Sequence, residues 1–408
     1  MKKLKVYYQS SLSNKRLVGI LAENNRKIYF EYDSDFLLDP LWLSPFKLAP
    51  KPGLHEFKDH EFSTVFGLFD DSLPDGWGLL LMDRFFRKQG LDPHKLSVLD
   101  RLAYLGSRSM GALTYEPCTN QEQFLQESLS LKSMASEVEK VWQGSIHEVL
   151  PQLLHYGGSP GGARPKVLAG IKKDEIITAD TLPSDFQAWI LKFVAPNEHL
   201  DSGKIEYVYS TMAQQAGLIM PKTRLFQSED NHYYFGIKRF DREAGERFHI
   251  HTFGNLIHSN FRIPSNDYLD LLKLTRILTK KQNDVEQLFR QAVFNLCSNN
   301  RDDHVKNFSF IYTNQDWSAT PAYDLTFNRG PGAEHSMSFC GEGKNPSKEQ
   351  LLDLAKISGI KLGKAKTIIE EVAEAVNQFK VLAKEYQIDE KEVSQINKLI
   401  QANLRRLI

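Results

Sequence analysis

The sequence predicts an α+β protein of two lobes, one mixed and built on a β-sheet and one mostly helical, preceded by a small β-rich domain. Three β-forming runs lie near the N-terminus, further strands flank one helical segment between residues 166 and 238, and helical periodicity dominates beyond Asp241. A chain of 408 residues has room for two or three domains. We expect them to span residues 1–120, 121–240 and 241–408.

Composition narrows the class of protein. The 51 basic residues balance the 51 acidic ones, which argues against a protein that holds nucleic acid by bulk charge. Three cysteines are too few for a disulfide framework and suggest a reducing compartment. Because no apolar run approaches the length of a membrane helix, we expect a soluble, cytoplasmic protein without membrane contact.

The β-rich domain is expected to begin with strands and to continue with helices. The strands are predicted at Lys5–Gln9, Leu17–Ala22 and Lys27–Tyr32. A helix is predicted after Ser72, which would cap it, and a second one at Leu96–Leu105 begins with a Ser97-x-x-Asp100 capping box. The carboxylates Asp70, Asp71 and Asp75 could form a metal cluster, but helix capping and surface solvation are the favoured interpretation.

The two lobes are predicted from hydrophobic periodicity. In the mixed lobe we expect helices at 121–140, 146–155 and 204–216 and strands at 167–171, 176–178, 189–194, 223–227 and 233–238. In the helical lobe we expect helices at 269–278, 285–296 and 364–386, interrupted by a hairpin near 308–311 and 318–320.

A glycine-rich segment precedes the first strand pair of the mixed lobe. Gly157, Gly158, Gly161 and Gly162 lie within six positions, and consecutive amide groups of such a segment can bind a phosphate. The segment matches neither the Walker A nor the Rossmann pattern, so a flexible turn is as good an interpretation of these residues alone.

The order of the elements favours the protein-kinase scaffold. A glycine-rich loop, a hairpin, a strand with Lys192, a helix with Glu206, two further strands and a helical lobe follow one another in that order. In this scaffold the strand lysine binds the α/β-phosphates of ATP and the glutamate orients it. Taken singly, Lys192 could be a solvent-facing strand residue and Glu206 an exposed helix residue.

The helical lobe contains the spacing of a kinase catalytic loop. Asn307 lies five residues after Asp302, and Asp324 lies 17 residues after Asn307. Such an Asp orients the hydroxyl nucleophile, while the Asn and the later Asp bind Mg²⁺. Asp303 competes for the first role, although register with Asn307 favours Asp302. A lone His304 without cysteines argues against a transition-metal site.

The chain resembles the HipA family of bacterial serine/threonine kinases, the toxins of type II toxin–antitoxin modules, over nearly its whole length. FGLFDDSLPDGW resembles the family's N-terminal region, and SPGGARPK, IKRFDR, RDDHVKNFSF and TPAYD resemble its kinase-core motifs in the same order. Three departures are Pro160, the pair Arg164-Pro165 and Lys238.

The resemblance implies roles for individual residues. It makes Ser159 an autophosphorylated serine, Lys166 the lysine that follows the loop, and Lys192 the phosphate-binding lysine. Lys238, Arg239 and Phe240 would then hold adenine, with Asp241 near the ribose. Asp302 would be the catalytic base, with Asn307 and Asp324 as Mg²⁺ ligands. The cofactors implied are ATP and Mg²⁺.

The resemblance also implies partners. The protein substrate would be an aminoacyl-tRNA synthetase, and a HipB-like helix-turn-helix antitoxin would bring the pair to operator DNA. Two alternatives remain, a small-molecule phosphotransferase, and a non-catalytic co-repressor that only binds the antitoxin. Retention of Lys192, Asp302, Asn307 and Asp324 together argues against the co-repressor.

Overall fold

The N-terminal domain is built on an antiparallel sheet. The structure is a computed structural model, and it describes residues 1–119, 127–144, 153, 156–157, 162–196 and 198–407. The sheet has the order β4-β3-β2-β1-β5, with strands β1 (Lys2–Gln9), β2 (Lys15–Asn24), β3 (Lys27–Tyr32), β4 (Leu54–Glu56) and β5 (Leu113–Glu116). The strands predicted near the N-terminus are confirmed. β4 and β5 are too short to show alternation in the sequence.

Helices follow the first strands of this domain. They are α1 (Ser34–Leu38), α2 (Gly67–Asp70), α3 (Gly76–Lys88) and α4 (Val98–Leu105). The capping box formed by Ser97 and Asp100 at the start of α4 is confirmed. The prediction that Ser72 caps a helix is wrong, because its buried hydroxyl bonds the Tyr115 hydroxyl at 2.7 Å and α3 begins only at Gly76.

The mixed lobe contains the second antiparallel sheet, in the order β10-β11-β9-β7-β8-β6. Its strands are β6 (Glu127–Ser128), β7 (Lys166–Lys172), β8 (Glu175–Thr178), β9 (Gln187–Lys192), β10 (Thr223–Gln227) and β11 (Tyr233–Lys238), and its helices are α5 (Leu131–Trp142) and α6 (Ser202–Gln215). Strands β10 and β11 have the predicted bounds. The helix predicted at 121–140 is present only from Leu131, since residues 127–128 pair with β8. Most of the helix predicted at 146–155 lies outside the described residues.

The second half of the chain is mostly helical, as predicted. Its helices are α7 (Phe253–Ile257), α8 (Tyr268–Thr279), α9 (Gln282–Ser298), α10 (Lys348–Ile357), α11 (Leu362–Asn377), α12 (Phe379–Glu385) and α13 (Glu390–Leu407). Its strands are β12 (Arg242–Glu243), β13 (Glu246–Arg247), β14 (His249–Thr252), β15 (Ser309–Thr313) and β16 (Asp316–Ala319). The predicted hairpin is β15–β16, extended by β14. The helix predicted at 364–386 is divided at Gln378.

Among the described residues, three hydrophobic cores join these parts. The N-terminal sheet and the helical lobe share one core, to which Phe30 and Phe69 contribute from one side and Phe253 and Leu256 from the other. The sheet of the mixed lobe has its own core, and Trp77 and Leu81 of α3 are part of it. A third, smaller core packs Met82 and Phe86 of α3 against Tyr104 and Leu105 of α4, so α3 contacts both the first domain and the mixed lobe. None of the helices in the described part of the chain is long and apolar enough to span a membrane.

Candidate active site

A cavity of about 1070 Å³ lies between the mixed lobe and the helical lobe. Lys166 of β7 and Lys192 of β9 are cross-strand partners on the side of the sheet that faces it. Val167 and Leu191, their neighbours along the strands, point to the opposite side and into the hydrophobic core. Strand alternation therefore brings two lysines into the cavity side by side.

Lys192 is buried and makes two ion pairs. Its Nζ lies 2.5 Å from Oε1 of Glu206 on α6, and it also pairs with Asp324. Burial lowers the pKa of the Lys192 ammonium, but the carboxylates of Asp324 and Glu206 outweigh that effect and raise it. The alternative that Glu206 is an exposed helix residue is wrong, because Glu206 is only 1% exposed.

Lys166 is in a different electrostatic position from Lys192. Burial lowers the pKa of its ammonium, and the positive charge of Lys192 adds to the effect, against the attraction of Asp324. A Cβ atom on Gly162 would lie 2.7 Å from Lys166 Nζ, so the end of the glycine-rich segment runs directly over this lysine. The two ammonium groups and the loop end form a cationic wall suited to phosphate.

The catalytic-loop pattern lies on the opposite wall, where the 3₁₀ turn Val305–Asn307 follows Asp302. Asp302 faces the cavity, and its backbone oxygen accepts a hydrogen bond from the side-chain nitrogen of Asn307 at 2.6 Å. Although 54% of the Asp302 side chain is accessible through the cavity, desolvation by the surrounding protein raises the pKa of its carboxyl. The imidazole of His304, 4.0 Å away, opposes this rise.

Asp303, the competing residue, is turned into the protein. It is 1% exposed and accepts hydrogen bonds from the Tyr268 hydroxyl at 2.8 Å, His335 Nδ1 at 2.7 Å and the Ser336 amide at 2.8 Å. Its carboxylate therefore anchors the loop from behind, and Asp302 is the carboxylate that can meet a substrate.

Asp324 is held beside Lys192 by an unusual backbone conformation, with φ of +56°. Burial would raise the pKa of its carboxyl, but Lys192 and Lys166 hold it well below the usual range. The side-chain nitrogen of Asn307 donates a hydrogen bond within its own loop, which leaves the side-chain oxygen free to be a ligand of a cation. In the described ranges no group of three or more His, Cys, Asp or Glu could hold a metal. Mg²⁺ would thus depend on Asp324, Asn307 and phosphate oxygens, the ligands it prefers.

The segment between the lobes lines the remaining side of the cavity. Lys238 contributes its side chain, and the Phe240 ring packs on Tyr323 with centroids 5.6 Å apart. Asp241 is buried, and its carboxylate accepts hydrogen bonds from Arg239 at 2.6 and 2.8 Å, from Arg242 at 2.6 Å and from the Gly111 amide at 2.9 Å. Burial would raise the pKa of Asp241, but the two arginines lower it. These contacts fix the interlobe segment; contact of Asp241 with a ribose stays a prediction.

The three carboxylates before α3 do not act as expected from the sequence. The interpretation that Asp70, Asp71 and Asp75 cap a helix or lie in solvent is wrong. Asp70 pairs with Lys306 at 2.9 Å, Asp71 lies 2.5 Å from His251 Nδ1, and Asp75 accepts the Gly162 amide. Asp75 also makes no side-chain capping bond to α3. All three join the first domain to the lobes.

Sequence reasoning also missed the role of Arg164. Its guanidinium pairs with Glu206, lies 3.1 Å from Glu198 and bonds Ser202 Oγ at 3.0 Å. The only signal in the sequence is its position two residues before Lys166. Gly157 is buried, whereas Gly158, Ser159 and Gly161 lie outside the described residues.

A sheet lobe bearing the lysine–glutamate pair, a helical lobe bearing the Asp–Asn loop and a cavity between them define a two-lobed, kinase-like fold, as predicted. Residues 10–116 match the family model of the HipA N-terminal domain, and residues 158–379 match that of the HipA-like C-terminal domain. The chain belongs to the HipA family.

Two relatives extend the comparison. The chain is 26% identical over 259 residues to "Putative kinase Y4dM" of Sinorhizobium fredii, and the match spans 58% of this chain and 61% of that protein's length. The fold of this chain is similar to that of HipA in a solved complex of HipA, HipB and operator DNA from Shewanella oneidensis MR-1, with a TM-score of 0.74 and 19% identity. That similarity covers 99% of this chain and 97% of the other.

Proposed function

We propose that the protein is an ATP-dependent serine/threonine protein kinase. The observation that supports this most directly is the bridge from Lys192 to both Glu206 and Asp324, in one cavity with Asp302 and Asn307. A buried ammonium between two carboxylates has no evident structural necessity, since apolar side chains fill such sites at least as well. The kinase-like relative is in accord with the proposal.

Each residue has a distinct task in phosphoryl transfer. Lys192, kept charged by its two carboxylates, binds the α/β-phosphates, and Glu206 holds it in that direction. Lys166 adds a second cation below the loop. Lys238 and Phe240 form the wall for the adenine base, beside Asp241. Asp324 and Asn307 would hold Mg²⁺, which would supply positive charge beside the phosphates.

Asp302 acts on the nucleophile. Its carboxylate accepts a hydrogen bond from the attacking hydroxyl and takes up its proton as the hydroxyl oxygen bonds the γ-phosphorus of ATP and the bond from that phosphorus to ADP breaks. Its raised pKa brings it nearer to the pH at which a base works well. The cavity admits solvent on the Asp302 side, which leaves room for the side chain of a protein substrate.

Partners and regulation form part of the same proposal. The substrate is a cellular protein, with an aminoacyl-tRNA synthetase as the class that the family implies. A HipB-like antitoxin binds the protein and links it to operator DNA, in accord with the composition of the structurally similar complex. Ser159 is autophosphorylated, and the added negative charge would oppose ATP phosphates beside the same loop.

The test compares two aspartates. Purified protein is incubated with Mg·ATP and a lysate depleted of its own kinases, and phosphoserine and phosphothreonine are mapped by mass spectrometry. We expect Asp302→Asn to lose about 10²–10⁴-fold of the transfer rate. Asp174→Asn, whose side chain is 90% exposed in a surface ion pair, is the control and should keep the rate. Transfer only to small molecules, or equal rates in both variants, would refute the proposal.

A further inference from the structure

Residues 70–77, which connect α2 to the first turn of α3, touch both walls of the active site. Asp70 pairs with Lys306, which lies in the catalytic loop next to Asn307. Asp75 and Trp77 contact the end of the glycine-rich segment at Gly162. These residues belong to the first domain, yet they connect the two elements whose separation sets the geometry of phosphoryl transfer.

The contacts at the glycine-rich segment are specific to backbone atoms. The Asp75 carboxylate accepts the amide of Gly162, and the amide of Trp77 donates to the Gly162 oxygen at 3.1 Å. The Trp77 indole donates to the Lys166 oxygen at 3.2 Å. Both backbone polar groups of Gly162 are therefore satisfied by Asp75 and the first turn of α3, and the start of β7 is attached as well.

Close packing supports the same arrangement. Gly76 has φ of +44°, and a Cβ there would lie 2.6 Å from Ala163 Cα and 2.7 Å from the Gly162 oxygen. At the other end of the glycine-rich segment, a Cβ on Gly157 would lie 2.6 Å from Leu81 Cδ1. Helix α3 thus contacts both described ends of the segment, which begins and ends against it.

The contact on the catalytic loop is equally enclosed. Lys306 is partly buried, and its Nζ lies 2.9 Å from Oδ2 of Asp70, which is buried as well. Asp71 is itself fixed by the Thr252 amide at 2.9 Å and by Asn255 at 2.7 Å. The first domain therefore supplies the counter-charge of a lysine that stands one residue from a proposed metal ligand.

We propose that residues 70–77 are a brace that positions Gly162, at the end of the glycine-rich segment, for the nucleotide phosphates and couples it to the catalytic loop, with Asp75 as the positioning residue. The proposal rests on the proposed kinase function for its consequence, but its contacts stand independently of any activity. The first domain is, on this view, a working part of the nucleotide site.

The first experiment measures amide exchange at Gly162 together with affinity for Mg·ATP by calorimetry. Asp75→Ala removes the acceptor, and we expect Gly162 exchange to accelerate at least tenfold and Mg·ATP affinity to fall about 10- to 100-fold, as a hydrogen bond to a charged group implies. Asp75→Asn keeps an acceptor oxygen and should restore most of both. A purely structural loss would not be rescued in this way.

A second pair of variants does not depend on Asp75. Gly76→Ala forces the loop backbone away, whereas Gly90→Ala, at the far end of α3, carries similar backbone strain at φ of +74° with no atom within 4 Å of the added Cβ. We expect only Gly76→Ala to accelerate Gly162 exchange and weaken Mg·ATP binding. Normal exchange and affinity in both Asp75→Ala and Gly76→Ala would overturn the brace. If the wild-type protein bound no ATP, the proposed function would fail, and Gly162 exchange alone would decide the brace.

Discussion

Replacing Glu206 by Gln tests the pair at the centre of the site. The substitution keeps size and shape and removes one buried charge. Of its two described carboxylate partners Lys192 then keeps Asp324, and Arg164 loses the more deeply buried of its two, since Glu206 is 1% exposed and Glu198 is not buried. Breaking a buried ion pair from one side costs about 3–5 kcal/mol. Because Asp324 still faces Lys192, we expect the lower end of that range.

The assay is urea unfolding at 25 °C, read by tryptophan fluorescence, with Mg·ATP affinity measured on the same preparations. Asp185→Asn is the matched control. It removes one charge of the ion pair between Lys172 and Asp185, whose N–O distance is also 2.5 Å. Because these two side chains are 44% and 53% exposed, we expect no measurable change in the free energy of unfolding. Equal midpoints for Glu206→Gln and Asp185→Asn would refute the reasoning, because burial would then not distinguish the two pairs.

Three further predictions follow from the site and its surroundings. Asn307→Ala and Asp324→Asn should weaken binding of Mg·ATP more than binding of metal-free ATP by calorimetry, and an equal loss would exclude them as metal ligands. The pKa of Asp302 is raised, so as the pH is lowered the transfer rate should begin to fall at a pH above about 3.9, the usual pKa of an Asp. A rate that falls only at or below that pH would contradict the environment described. Burial lowers the pKa of His249 to about 4, so stability should be complete above about pH 6.5 and decline by up to about 3 kcal/mol as the pH falls towards 4; urea unfolding across this range should show a smaller decline in His249→Gln.

The sequence was sufficient for elements whose signal is local. Strands β10 and β11 have clear β-forming runs, and the Ser97–Asp100 box marks the start of α4 by itself. Asp302 and Asn307 both reach the cavity, as their spacing predicts, because the short loop between them leaves its backbone little conformational freedom. The side of the sheet on which Lys192 lies was predictable for a similar reason, since alternation along one strand determines which side a residue faces.

The sequence was insufficient wherever a side chain is satisfied by a distant residue. Asp70 and Lys306 are 236 positions apart, so no pattern in either segment indicates their contact. Three carboxylates close together near a helix start resemble caps, and only the packing of α3 against the mixed lobe turns Asp75 towards Gly162. Arg164 is missed for the same reason, because its partners Ser202 and Glu206 lie on α6 and Glu198 lies just before that helix.

The core shared by the N-terminal sheet and the helical lobe bears on how the chain folds as it is made. Strand β5 ends at Glu116, whereas the hydrophobic core to which this sheet contributes extends to Leu407. At about 5–20 residues per second, synthesis of the remaining chain takes on the order of 15–60 s. During that time the N-terminal part of the shared core leaves the ribosome without its helical part, so the apolar side chains that later meet the helical lobe are open to chaperones.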